Sequence, residues 1–217
     1  MKAVIILLSL ITLQTCISNT PPLDHANPVW KPTASNQEGL KKAYFASGCF
    51  WCVEAVYESV RGVSEVYSGY AGGFTKNPNY NQIGTGKTGH AEAVEILYDP
   101  KVVSFGTLVQ VFFGSHDPTT PNRQGPDYGS QYRSIAFYTT DQERTIIQDY
   151  VQMLEDKDFF SKEIVTEIKP LEKFYYAEDY HQDYEKNNPN NPYVRNVSIP
   201  RLKKFQKLYP ELLKNDH

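Results

Sequence analysis

Between Cys49 and Val60, apolar side chains fall at Val53, Val56, Tyr57 and Val60, the three- and four-residue spacing of one helical face. Arg61-Gly62 then supplies a basic last turn and a stop. Short β-prone runs flank this helix, Lys42–Ala46 before it and Val63–Tyr70 after it. A loop-rich stretch from Ala71 to Gly89 leads to a further strand, Ala93–Tyr98, closed by Asp99-Pro100. Ser104 stands where it can cap a helix with Leu108, Val111 and Phe112 on its apolar side. Tyr132–Tyr138 and Val165–Lys169 read as strands. Thr140-Asp141-Gln142-Glu143 is a capping-box pattern opening a helix to about Lys157, and Pro200–Leu213 reads as a terminal helix. Strands alternating with helices predict a mixed α and β class. Asp117–Gly129 is longer than a connection requires, which predicts a binding loop.

The N-terminus departs from this pattern. Met1-Lys2 precedes an uncharged run, Ala3–Leu13, far short of the ~20 apolar residues that span a bilayer. A charged start, a short apolar stretch and small polar residues predict an export signal over residues 1–18, and hence a secreted or periplasmic protein. Leu13-Gln14-Thr15-Cys16 is similar to a bacterial lipoprotein cleavage box, so two outcomes stay open. Either Cys16 is lipidated and anchors the chain to a membrane, or cleavage nearby discards it. Residues 19–40, with Pro21, Pro22, Pro28 and Pro32, read as a linker, leaving 41–217 as one folded domain expected to act as a monomer.

Composition narrows the function. With 22 basic and 25 acidic residues the net charge is −3, which removes the electrostatic reason to expect a nucleic-acid partner. Three cysteines are too few for a disulfide scaffold. No second Cys/His pair at ligand spacing follows Cys49-Phe50-Trp51-Cys52, so no metal site is expected. If a helix starts near Gly48, Cys49 lies in its first turn, where free N–H groups and the helix dipole favour a thiolate and a lowered pKa. Cys52, one turn on, can reach an oxidised Cys49. That spacing suits a nucleophile and a resolving thiol. It equally suits a secreted thioredoxin-like thiol–disulfide exchanger, and a pair of core cysteines remains the plainer reading. Phe50 and Trp51 would wall a small apolar group, or simply pack in the core.

Gly48-Cys49-Phe50-Trp51 with Glu54 closely resembles the signature of the A-type peptide methionine sulfoxide reductases, in the subset with cysteine at the fifth motif position. The resemblance continues through Gly69–Gly73, Asn77–Tyr80, Gly89–Val94, His116–Thr120, Asn122–Ser134 and Ala177–Gln182, covering about residues 41–186. It implies a ferredoxin-like βαββαβ core with long wrapping loops and a C-terminal segment. It implies thiol-dependent reduction of methionine S-sulfoxide, free or in proteins, as repair of oxidative damage. Cys49 matches the nucleophile at the sulfoxide sulfur, and Glu92 the acid that protonates its oxygen. Tyr80 and Tyr132 match oxygen-binding tyrosines, Asp127 a polar neighbour, and Phe50 and Trp51 the aromatics that hold the methyl group. Cys52 matches the cysteine that resolves the sulfenic acid, with thioredoxin or a similar external dithiol as reductant and no bound cofactor. His181 has two readings, lining the site or ordering the C-terminal segment, and the second is preferred.

Overall fold

The computed structural model describes residues 38–215, so the export signal, Cys16 and residues 19–37 of the linker lie outside the described residues. Strand β1 (Lys41–Ser47) leads into helix α1 (Phe50–Glu58), and strand β2 (Val63–Ala71) follows. A short helix α2 (Tyr80–Gly84) precedes β3 (Ala91–Tyr98), α3 (Phe105–Ser115), and a two-residue hairpin β4 (Arg123–Gln124) and β5 (Asp127–Tyr128). Next come β6 (Ser134–Tyr138), α4 (Asp141–Asp156), β7 (Glu167–Pro170) and β8 (Phe174–Tyr176). The C-terminal region holds α5 (Tyr184–Asn187) and α6 (Ile199–Leu208).

Six strands form one sheet in the order β7-β6-β1-β3-β2-β8, antiparallel except for the β6–β7 pair. Its four central strands, β1, β2, β3 and β6, are joined along the chain through α1 and α3, and in space β1 stands between β6 and β3. The larger core lies against one face. Phe45 stacks between Tyr57 of α1 and Phe112 of α3 at centroid distances of 5.6 and 5.0 Å, and the Tyr57 hydroxyl donates to the Leu108 carbonyl at 3.0 Å. Each such buried aromatic or aliphatic side chain contributes roughly 1.5–3 kcal/mol. A smaller cluster of Tyr44, Ala46, Ala71, Ala91, Ala93, Ile135 and Phe137 covers the opposite face. The whole of β3 is therefore buried on both sides.

The caps explain where helices begin. Ser104 accepts from Thr107 N–H, and Thr140 accepts from Glu143 N–H, as their sequence positions predict. The returning arm of the second box is displaced, with the Glu143 carboxylate taking the N–H of Thr139 at 2.7 Å rather than that of Thr140. Four features differ from the sequence pattern. Helix α1 ends at Glu58 rather than Val60, because Val60 forms a β-bridge with Leu213. The Ala71–Gly89 stretch contains α2, opened by a full capping box between Asn79 and Gln82. Phe174–Tyr176 is the edge strand β8, and the terminal helix stops at Leu208 before a 3₁₀ turn over Pro210–Leu212.

Candidate active site

Cys49 is the N-cap of α1, so its backbone is not yet helical while its carbonyl accepts from Cys52 N–H at 3.2 Å and Val53 N–H at 3.3 Å. Gly48 before it takes φ +94°, and a Cβ there would lie 2.6 Å from Gln124 Cβ; only glycine lets the loop close against the cysteine. Both thiols are free and buried, Cys49 at 6% exposure and Cys52 at 2%. Burial pushes the Cys49 thiol well above its usual range, and the hydrogen bond with Cys52 adds to this. The expected lowering at the helix N-terminus falls instead on Cys52, in the first turn. Its thiol is pulled below its usual range by the hydrogen bond from Cys49 and then by the charge of Arg201. The N-terminal effect is outweighed at Cys49 because that sulfur is desolvated, with the Glu92 carboxyl rather than a cation beside it.

Glu92 projects from β3, paired across the sheet with Tyr70, toward the start of α1. Its Oε2 accepts the N–H of Phe50 at 3.1 Å, one residue from Cys49. Burial lifts its pKa from 4.5 to about 8, only partly opposed by that N–H. A protonated carboxylic acid therefore stands beside the thiol at neutral pH. Tyr80, at the start of α2, and Tyr132, in the 3₁₀ turn Ser130–Tyr132, are half-buried. Burial and then the Glu92 charge raise both, Tyr80 to about 12, so both remain neutral hydroxyl donors. The electrostatic coupling of Tyr80 and Tyr132 to Glu92 and Cys49 puts all four in one locality. Together they form the equipment for protonating and hydrogen-bonding an oxygen held over the Cys49 sulfur.

The apolar wall is larger than the sequence indicates. Phe50 lies 4.9 Å from the His181 ring and 6.4 Å from that of Tyr80. Trp51 stacks on Tyr184 at 3.7 Å and meets Tyr193 edge-on. Its indole N–H donates to His181 Nδ1 at 3.1 Å. His181 is thus part of the aromatic wall as well as of the C-terminal segment, so both of its readings have a structural basis. Burial lowers its pKa to about 4, leaving it neutral. Glu178 underlies the wall, accepting from Tyr80 N–H at 2.9 Å and from the Tyr70 hydroxyl at 2.8 Å.

Asp127, raised by burial, sits on β5 and accepts the Tyr193 hydroxyl at 2.6 Å; that same hydroxyl lies 3.8 Å from the Cys52 sulfur. The Asp117–Gly129 stretch therefore delivers one side chain to the cysteine pair through Tyr193. Every residue singled out from the sequence for the site falls in this one region. Four that were not are Glu178, Tyr184, Tyr193 and Arg201, all drawn in by the C-terminal third of the chain. Glu178 lies inside a quoted motif; no periodicity or motif spacing marks the other three. Among the described residues, no group of three or more His, Cys, Asp and Glu side chains is arranged to hold a metal ion.

A model of the peptide methionine sulfoxide reductase family matches residues 41–212. Peptide methionine sulfoxide reductase MsrA 2 of Synechocystis sp. is 47% identical over 184 residues, which is 84% of this chain and 86% of that protein. Peptide methionine sulfoxide reductase MsrA of Sulfolobus acidocaldarius is 46% identical over 79% of this chain and 97% of its own. Among solved structures, methionine sulfoxide reductase A of Corynebacterium diphtheriae superposes with a TM-score of 0.63 at 38% identity, covering 72% of this chain and 79% of that one. Mxr1 from Saccharomyces cerevisiae in reduced form gives 0.65 at 34% identity, covering 70% and 88%.

Proposed function

The chain belongs to the peptide methionine sulfoxide reductase family, thiol-dependent oxidoreductases that return methionine sulfoxide to methionine, and on that premise we propose how its residues divide the work. The substrate is the S-epimer, in oxidised proteins or free. Its methyl group rests against Phe50 and Trp51, and its oxygen faces Glu92, Tyr80 and Tyr132. The Cys49 sulfur attacks the sulfoxide sulfur while Glu92 delivers a proton to the oxygen. The oxygen passes to Cys49 as a sulfenic acid, and methionine leaves.

Cys52 then closes a disulfide on Cys49 and releases water, which also keeps the sulfenic acid from further oxidation. The sequence carries no cysteine after residue 52, so this pair is the one available for recycling. A thioredoxin-class dithiol reduces it. The observation that carries this reading is the hydrogen bond from Phe50 N–H to Glu92: it sets a buried, protonated acid one residue from the nucleophile. A disulfide exchanger needs its reactive sulfur on an exposed docking face. Here both sulfurs are buried. That alternative is set aside.

Export to the periplasm or exterior, with or without a lipid on Cys16, belongs to the same proposal and rests on the Ala3–Leu13 run. The enzyme acts as a monomer. The test is to incubate the reduced protein and dithiothreitol with each epimer of a methionine sulfoxide substrate. Consumption of the S-epimer alone is expected, and survival of both epimers overturns the reading.

A further inference from the structure

Arg201 stands out because its guanidinium hydrogen-bonds to no carboxylate, its charge reaching Asp127 only beyond ion-pair distance. It projects from α6 toward the cysteine pair, donating from Nε to the Ser115 carbonyl at 2.8 Å and from Nη2 to the Ser47 hydroxyl at 3.2 Å. It forms no ion pair among the described residues. Its Nη1 reaches within 3.6 Å of where a side chain on Gly48 would begin, immediately before Cys49. Arg201, Cys52, Tyr193 and Asp127 line one cavity of about 630 Å³, whose lining does not include Phe50, Trp51 or Tyr80. A guanidinium held by two neutral acceptors keeps its full charge for whatever anion forms nearby.

We propose that Arg201 is a positioning residue for the recycling half of the cycle, its guanidinium holding Cys52 as a thiolate ready to attack the oxidised Cys49. This rests on the reading of Cys52 as the resolving thiol. In that step the Cys52 sulfur supplies an electron pair to the Cys49 sulfur; an S–S bond forms and the S–O bond breaks. Cys52 is oxidised, the sulfenic sulfur is reduced, and hydroxide leaves to be protonated to water. When the external dithiol later attacks the Cys49 sulfur, the Cys52 thiolate is the leaving group. One charge thus assists Cys52 twice, as nucleophile and as leaving group, since a lower thiol pKa makes a better leaving group.

The ionisable groups around Cys52 and its cavity are Cys49, Glu92 on β3, Asp127 on β5, Tyr193, Arg201 and Lys204 on α6, His116 and Asp117 after α3, and Lys162; burial lowers His116 so that it stays neutral. Burial keeps Glu92 protonated at neutral pH and raises Tyr193, so neither supplies the cation a thiolate needs. Lys204 is exposed, where solvent screens it. Cys52 is also the third residue of α1, where the helix dipole helps in the same direction.

The experiment uses the full chain with Cys16→Ser throughout. In a Cys49→Ser background the thiolate absorbance of Cys52 is titrated with Arg201 intact, Arg201→Gln and Arg201→Lys. The midpoint is expected to rise by about one unit in Arg201→Gln and to return most of the way in Arg201→Lys. With both cysteines present, quenched-flow single turnovers should show disulfide formation slowed about tenfold in Arg201→Gln, while the preceding burst of methionine release keeps its rate. The intact burst and the lysine rescue separate this effect from misfolding. An unmoved Cys52 midpoint in Arg201→Gln, or a lysine variant no better than the glutamine, overturns the role of Arg201. Undiminished thioredoxin-linked turnover by Cys52→Ser overturns the resolving role of Cys52 instead, and the titration distinguishes the two failures.

Discussion

The Trp51 indole N–H donates to Nδ1 of His181 at 3.1 Å, joining residues 130 apart in sequence. Because Nδ1 accepts, the neutral imidazole carries its proton on Nε2, which is buried without a hydrogen-bond partner and lies 3.9 Å from the Glu178 carboxylate. The bond fixes the plane of the indole that, in the proposed reading, rests against the substrate methyl. His181→Phe keeps a ring but removes the acceptor, whereas His181→Asn can offer an amide oxygen where Nδ1 stood. A neutral hydrogen bond is worth about 1 kcal/mol, so KM is expected to rise roughly fivefold in the phenylalanine variant, with a smaller change in kcat. The asparagine variant should recover part of the loss. Steady-state kinetics indistinguishable from the parent in both variants would show that Trp51 needs no such anchor.

Cys52→Ser separates chemistry from recycling. Cys49, Glu92 and the aromatic wall are untouched, so a pre-reduced variant should release about one equivalent of methionine per chain at close to the parent rate. Turnover driven by thioredoxin should then fall by ~100-fold or more, because the sulfenic acid has no neighbouring thiol to resolve it. Sustained thioredoxin-linked turnover would remove Cys52 from the cycle.

Gly69 carries the sheet edge that positions the wall. It pairs with Ala93 on one side and Tyr176 on the other. A Cβ on it would meet Phe174 Cζ at 2.3 Å and the Tyr175 carbonyl at 2.4 Å, and the second is backbone that cannot swing away. Gly69→Ala should therefore push β8 from β2 and cost ~1–3 kcal/mol of stability in urea unfolding. It should also raise KM, since Glu178 and His181 follow β8 directly. Gly84→Ala is the control: nothing lies within 4 Å of its new methyl, and stability should hold.

Local signals were the legible ones. The Ser104 and Thr140 side-chain caps and the apolar face Val53, Val56 and Tyr57 of α1 each depend on neighbours a turn away, and these formed as read, whereas Val60 left the helix for its bridge with Leu213. The Asn79–Gln82 box was equally readable, yet it is hidden inside a loop-rich stretch between Pro78 and Gly84. Phe174–Tyr176 has three aromatics and no alternation, so only pairing with β2 makes it a strand. Within the site, Cys49 and Cys52 could be found from spacing, whereas an acid such as Glu92 on a strand defaults to solvent by pattern alone. What buries it is the sheet order, which sets β3 between β1 and β2 under helices on one side and a second cluster on the other. Tyr193 and Arg201 reach the cysteines only after the chain has wrapped back, so nothing near them in sequence announces it. The lowering expected for the Cys49 thiol fails for a related reason: helix position is local, whereas desolvation belongs to the finished fold.

Glu92 ties activity and stability to the same proton. In its proposed role as the acid it works only while protonated, and burial lifts its pKa to about 8. The rate of methionine release in single turnovers of pre-reduced enzyme should therefore fall as pH rises through about 8, a limb that Glu92→Gln lacks. The glutamine variant cannot give up a proton, and its rate should drop by ~10²–10⁴-fold. Stability follows with a defined sign. A carboxyl whose folded pKa lies above its unfolded value stabilises fully below the unfolded value, near 4.5, and that contribution is lost progressively as pH rises through about 8. Between those limits the parent loses stability that Glu92→Gln, neutral in both states, keeps. Unfolding free energies measured at pH 5 and pH 8 should show the variant gaining on the parent by a few kcal/mol across that interval. A variant that runs parallel to the parent over this range would mean that Glu92 is ionised in the folded enzyme, and the proton for the sulfoxide oxygen would have to come from Tyr80 or Tyr132.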